Sequence, residues 1–130
     1  MWSYNQAFEP PAPFLEVTIH HPYLSNRRHL IPAKLDTGAD LSAIPKSIAE
    51  KLQLLPSRTI LAEGYDGKQS IIETYAITLE IAQAHIRHIE VILISDDYAL
   101  VGRDILNHFY TRLNGPDLNF DLYLAPHPVS

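Results

Sequence analysis

The sequence predicts a mainly β, barrel-like domain with one or two short helices. Three observations carry this. Short runs of apolar and β-branched residues recur along the chain, turn-forming Gly, Pro, Asn and Asp punctuate them, and only two stretches show helical spacing. At 130 residues the chain is one domain in size and long enough to bury a core without disulfide staples.

Residues 1–13 stand apart as a Pro-rich N-terminal arm. Pro10, Pro11 and Pro13 remove backbone donors and favour extended geometry, while Trp2, Tyr4 and Phe8 give the arm side chains that can dock. The folded domain is expected over 14–124, with 125–130 a C-terminal tail broken by Pro126 and Pro128. Phe14–Ile19 is rich in β-formers and Pro22–Asn26 reads as its turn. His29–Leu35 is a second strand. Pro45–Leu52 is a short helix, with Pro45 suited to a first helical position and Ile44, Ile48, Ala49 and Leu52 at helical spacing.

Thr59–Ala62 and Ser70–Ile72 flank Asp66-Gly67, a hairpin signal of type I′. Ile77, Leu79 and Ile81 alternate with polar residues, as in a half-buried strand. Val91–Ile94 is apolar on both faces and reads as a central strand. Arg103–Leu113 is a second helix stopped by Asn114-Gly115-Pro116, and Leu118–Leu124 a last strand.

The composition excludes several function classes. Without cysteine there is no disulfide framework, thiolate metal site or thiol nucleophile. A net charge of −5 with no clustered basic face argues against nucleic acid as a partner. No apolar run approaches a membrane span, and no basic residue precedes an N-terminal apolar stretch, so neither membrane nor secretion is expected and cytoplasmic residence is the default. Met1 reads as an independent start. His20-His21 are adjacent and His85 and His88 are three apart, spacings that split faces in a regular strand, so no metal or other cofactor is expected.

Two motifs carry the chemistry. Asp36-Thr37-Gly38-Ala39 follows the strand ending at Leu35, and Ala99-Leu100-Val101-Gly102-Arg103-Asp104-Ile105-Leu106 comes about sixty residues later. In this order and context they resemble the retropepsins, the single-lobe aspartic proteases of retroviruses and their cellular relatives. The resemblance covers about residues 14–124. It implies a retropepsin-like closed β-barrel half-lobe with a flap hairpin, and an aspartic endopeptidase that cuts peptide or protein substrates.

The resemblance also assigns roles. Asp36 would be one half of a carboxylate dyad that shares a proton across two chains, making the active unit a homodimer. Thr37 would bond across to the other subunit, Gly38 would allow the close turn, and Ala39 completes the loop. Gly102 would pack behind the loop, with Arg103 and Asp40 as a buried brace costing about 3–5 kcal/mol to break. Gly64, Tyr65, Asp66 and Gly67 fall where the family carries its flap.

Lys34 departs from the family's usual apolar residue and is expected to face solvent. The Pro-rich N-terminus departs from the interleaved terminal strand of the viral enzymes, so the dimer is expected to rest mainly on Leu118–Leu124. The arm is expected in the cleft or near the interface, with a free tail as the alternative. The rival functional class is a catalytically silent dimer of the same fold serving as a peptide-binding or scaffold module.

Overall fold

The computed structural model describes residues 1–64 and 66–124. The chain runs β1 (Trp2–Asn5), β2 (Ala12–His20), β3 (Arg28–Leu35), β4 (Ala43–Pro45), α1 (Lys46–Lys51), β5 (Pro56–Glu63), β6 (Gln69–Ile81), β7 (Ala84–Ile94), β8 (Ala99–Val101), α2 (Arg103–Leu106), β9 (Tyr110–Asn114) and β10 (Asn119–Tyr123). It is the mainly β domain with two short helices that the sequence predicts.

The strand order is β5-β6-β7-β4-β8-β3-β2-β1-β10-β9, and β6 also pairs with β2. Six strands, β2-β3-β8-β4-β7-β6, therefore make a circuit. Some of its links are short: β4 meets β8 at the single pair Ala43↔Leu100, and β2 meets β6 over Thr18–His20. Period-two alternation aims one face of each strand inward. Val17, Ile19, Ile77, Ile81, Val91, Val101 and Phe120 are almost fully buried, and Ile105 of α2 joins them. Leu52 caps α1 and buries with Ile48 and Ala49.

Four local readings are corrected. The second helix stops at Leu106, not Leu113. Tyr110–Asn114 pairs instead with Asn119–Tyr123, because Tyr110 and Thr111 are better strand than helix formers once the chain can turn back. The Asn114-Gly115-Pro116-Asp117 stretch that ends this strand is a hairpin turn, with Asn114 Oδ1 accepting the Asp117 N–H at 3.1 Å.

The arm holds a strand that the prolines obscured. Trp2 and Ser3 pair with Phe120 and Asn119, while Tyr4 and Asn5 pair with Pro13 and Ala12. Trp2 stacks on Phe120 at 5.6 Å, and Phe8 stacks on Phe14 at 4.7 Å with Tyr98 edge-on to both. Lys34 is half-buried rather than free in solvent, its Nζ lying 5.7 Å above the Phe8 ring.

The fourth correction concerns turns. The Gly67 N–H donates to the Gly64 carbonyl at 3.0 Å, and the Gly64 N–H to the Lys68 carbonyl at 3.0 Å. The β5–β6 connection therefore closes between Gly64 and Lys68, with Gly67 at φ +77° inside it, and is longer than a two-residue turn centred on Asp66-Gly67. The two-residue turn lies at Ala82-Gln83, between the paired Ile81 and Ala84. Both of its residues have positive φ, 49° and 68°.

Candidate active site

The Asp36 loop begins where β3 ends. Leu35 pairs with Val101 of β8, and the Asp36 N–H continues that parallel ladder by donating to the Val101 carbonyl at 2.9 Å. With Ala33 and Leu35 buried, Asp36 leaves the sheet at a fixed position, half-buried at its end. Its carboxylate accepts the Gly38 N–H at Oδ1, 3.0 Å, and its carbonyl accepts the Ala39 N–H at 3.2 Å. A side chain at Gly38 would start 3.3 Å from that same Oδ1, so glycine leaves room around the carboxylate. Thr37 is exposed.

Gly102 is the close approach behind the loop. A Cβ there would lie 2.8 Å from the Ala39 carbonyl oxygen and 3.0 Å from the Leu41 backbone. Arg103 follows, its Nη1 donating to the Thr37 carbonyl at 2.8 Å and its Nη2 paired with the Asp40 carboxylate. The structure brings Asp40 and Arg103 together but does not bury them. Their side chains are 82% and 47% exposed, so the pair is a solvated surface bridge and the large cost expected for a buried brace does not apply.

The buried tie in this region was missed by sequence reasoning. Ser42, 3% exposed, donates its hydroxyl to Asp104 Oδ1 at 2.7 Å and its N–H to Oδ2 at 3.0 Å. The same hydroxyl accepts the Gly102 N–H at 2.9 Å, and Asp104 Oδ1 also takes the Ile105 N–H at 2.9 Å. One carboxylate thus joins the segment after the Asp36 loop to the start of α2. A signal was present: Ser42 is a lone hydroxyl in the apolar run Leu41–Ile44, and a buried hydroxyl needs a partner.

Opposite the loop stands the β5–β6 hairpin. Between them lies an open groove of about 880 Å³. Its floor is Gly38, Ala39, Asp40 and Leu41, its roof Ile60 to Gly64 with Ile72, and Ile92 closes one side. Gly64 therefore faces the groove, while Asp66 and Gly67 form the exposed tip, with Asp66 Oδ1 accepting the Lys68 N–H at 3.0 Å. Tyr65 lies outside the described residues. No residue of the arm lines this groove.

The comparisons with known proteins fall on this site and this fold. The family described as "gag-polyprotein putative aspartyl protease" matches residues 26–108, well over half of the chain and both motifs. The chain belongs to this family of aspartic peptidases. Among solved structures it resembles a retropepsin-like aspartic protease from Rickettsia conorii, at 20% identity and TM-score 0.62, covering 94% of this chain and 88% of that one. The simian foamy virus (mac) protease shares 21% identity at TM-score 0.55, over 73% of this chain and 92% of the other. The EIAV protease, solved with the inhibitor HBY-793, shares 24% identity at TM-score 0.50, over 74% and 86%. At these identities the three structures speak for the fold. No curated protein matches the chain.

Proposed function

We propose that the chain is an aspartic endopeptidase that works as a homodimer, with Asp36 of each copy at a shared two-fold axis. The observation that carries this is one Asp-Thr-Gly loop per chain, held at the end of β3, whose Gly38 begins the floor of a groove that the β5–β6 hairpin roofs, with Asp36 two residues before it at the end of the strand. The chemistry needs two carboxylates about 3 Å apart sharing one proton, and a single loop offers one.

In this reading the ionised Asp36 takes a proton from water as its oxygen attacks the scissile carbonyl. The protonated Asp36 of the second copy donates to the carbonyl oxygen, giving a tetrahedral diol. Its collapse breaks the C–N bond as a proton passes to the leaving nitrogen. Thr37, exposed in one chain, would meet its counterpart across the axis.

The substrate would lie extended beneath the two hairpins, bound through its backbone, with Gly64, Asp66 and Gly67 as the flap that closes on it and excludes water. At Asn119 and Phe120 the β10 strand is paired on both sides by its own chain, which favours the outer edge of β9, with Tyr110 and Leu113 exposed, as the strand left for a partner. A cytoplasmic setting, without nucleic acid or membrane as partner, remains part of the proposal, and cell fractionation tests it.

The decisive experiment digests a peptide library from acid to neutral pH while sedimentation follows the oligomer on dilution. Cleavage that falls as the dimer dissociates and vanishes in Asp36→Asn is expected. A monomer that still cleaves would overturn the two-chain site. A stable dimer that cleaves nothing at any pH would favour the binding-module reading.

A further inference from the structure

A second cluster lies on the outer face of the sheet and shares no lining residue with the groove. In register, Glu80 of β6 sits opposite Thr18 of β2 on one side and His85 of β7 on the other. His20 is two residues beyond Thr18, so it points to the same face. Ile19 and Ile81, the neighbours of His20 and Glu80, turn into the core at 0% and 1% exposure, which fixes that face as the outer one. Along the chain His20 and His21, like His85 and His88, are spaced to fall on opposite faces of a strand. The fold instead pairs His20 with His85 through Glu80.

The geometry is that of a ligand set. His20 Nε2 lies 3.3 Å from Glu80 Oε2, and His85 Nε2 lies 3.4 Å from Glu80 Oε1. One ligand atom from each of the three residues falls within 4.8 Å of the others. Both N···O separations are longer than an ordinary N–H···O hydrogen bond. They run to the two different oxygens of one carboxylate, so Glu80 stands between the two imidazoles and presents an oxygen to each. All three ligands stand on strands, where backbone pairing sets their positions.

The turn that places His85 across from Glu80 is Ala82-Gln83, whose two residues both hold positive φ. Neither favours that region, so local strain is retained where it brings the two ligands opposite each other. Beside the cluster is a cavity of about 270 Å³, lined by His20 and His85 together with His21, Thr78 and His88, with room for a water ligand.

We propose that His20, Glu80 and His85 form a binding site for a divalent transition metal, with water in the fourth position. Two imidazoles and one carboxylate suit Zn²⁺ and its later first-row neighbours rather than Ca²⁺ or Mg²⁺. The bound ion clamps β2, β6 and β7 to one another. It stands apart from the peptidase chemistry and does not depend on it.

The test uses the full chain, stripped with a chelator and titrated with Zn²⁺, read by metal analysis and thermal unfolding. One ion per chain is expected, with a rise in Tm of about 5 °C at ten times the dissociation constant. His85 is exposed, so His85→Ala is expected to fold and to lose the rise; Glu80→Gln should lose it as well. His88→Ala, in the cavity lining but outside the ligand set, should keep it. No rise in the unaltered chain, or an undiminished rise in His85→Ala, would overturn the site. So would a loss in His88→Ala equal to that in His85→Ala.

Discussion

The loop after β3 and the hairpin above it face one groove but are held in opposite ways. The loop is tied from behind by groups sixty residues distant: Val101 takes the Asp36 N–H, Arg103 reaches the Thr37 carbonyl, and Asp104 holds the buried Ser42. The hairpin is held mainly by its own ladder, with β5 pairing only β6 among the described residues and Leu61 and Ile71 exposed at 68% and 74%. A dyad needs carboxylates fixed to a fraction of an ångström, whereas a flap must move to admit substrate. The difference in tethering follows that division, since segments with few buried contacts open most easily.

The sharpest way to probe the loop is to change its chemistry and leave its shape. Asp36→Asn keeps the volume and leaves an oxygen for the Gly38 N–H, but it removes the titrating group. Peptide cleavage should fall by a factor of about 10² to 10⁴ or more, with the melting temperature little changed. Undiminished cleavage would remove Asp36 from the reaction.

Two glycines then set loop against hairpin. Gly102 has ordinary φ, −90°, but no space, since an added Cβ meets the Ala39 carbonyl oxygen at 2.8 Å. Gly67 has unoccupied space within 4 Å but φ +77°. Gly102→Ala should cost about 3 kcal/mol, because backbone on both sides must shift, and should displace the Asp36 loop. Gly67→Ala should cost only about 1 kcal/mol, yet reduce cleavage through the tip. Calorimetry and peptide kinetics on both variants separate the cases. Equal stability losses would mean that the hairpin is as rigid as the loop.

How far the sequence reveals this site depends on how local each signal is. Asp36-Thr37-Gly38 and Leu100-Val101-Gly102 each lie on consecutive residues, and the structure brings these two segments together. The Ser42–Asp104 tie spans sixty-two residues, and nothing near either residue names its partner. The turns show the same limit. Asp66-Gly67 promises a two-residue turn, yet the pairing of Glu63 with Gln69 leaves a longer loop. Ala82-Gln83 promises none, yet Ile81 and Ala84 bury on either side and force it. The arm was obscured by its prolines, because the aromatic contacts that hold Trp2 and Phe8 come from residues far along the chain.

Two aspartates on the loop side sharpen the contrast between buried and exposed ties. Asp104→Ala leaves the Ser42 hydroxyl and N–H without their acceptor in a buried setting, and should cost about 2–3 kcal/mol. Asp40→Ala breaks an ion pair open to solvent and should cost less than about 1 kcal/mol. Denaturant unfolding of both variants checks the order. A larger loss at Asp40 would mean that the pair is buried in the working assembly, as a second copy over the loop would make it.

The smallest expected effect lies at the base of the hairpin, where it joins the tethered part of the fold. Thr74 of β6 is buried and donates its hydroxyl to Glu90 Oε1 of β7 at 2.7 Å, and Arg58 Nε of β5 approaches the same oxygen at 2.9 Å. The Thr74 hydrogen bond chiefly, with the Arg58 charge in support, holds the Glu90 carboxyl below the usual glutamate range despite an opposing desolvation contribution. A depressed carboxyl stabilises the fold above its unfolded value, and that contribution fades as the pH falls through the glutamate range, from about pH 4 downward. Glu90→Gln cannot titrate, so its melting temperature should fall less than the unaltered chain's between pH 6 and pH 3. The difference should be small, because Glu90 stays partly solvated. Acid would thus loosen the β5–β6–β7 junction while Ser42 and Gly102 still hold the loop through their own hydrogen bond. Identical pH profiles for the two proteins would show that the junction does not sense acid through Glu90.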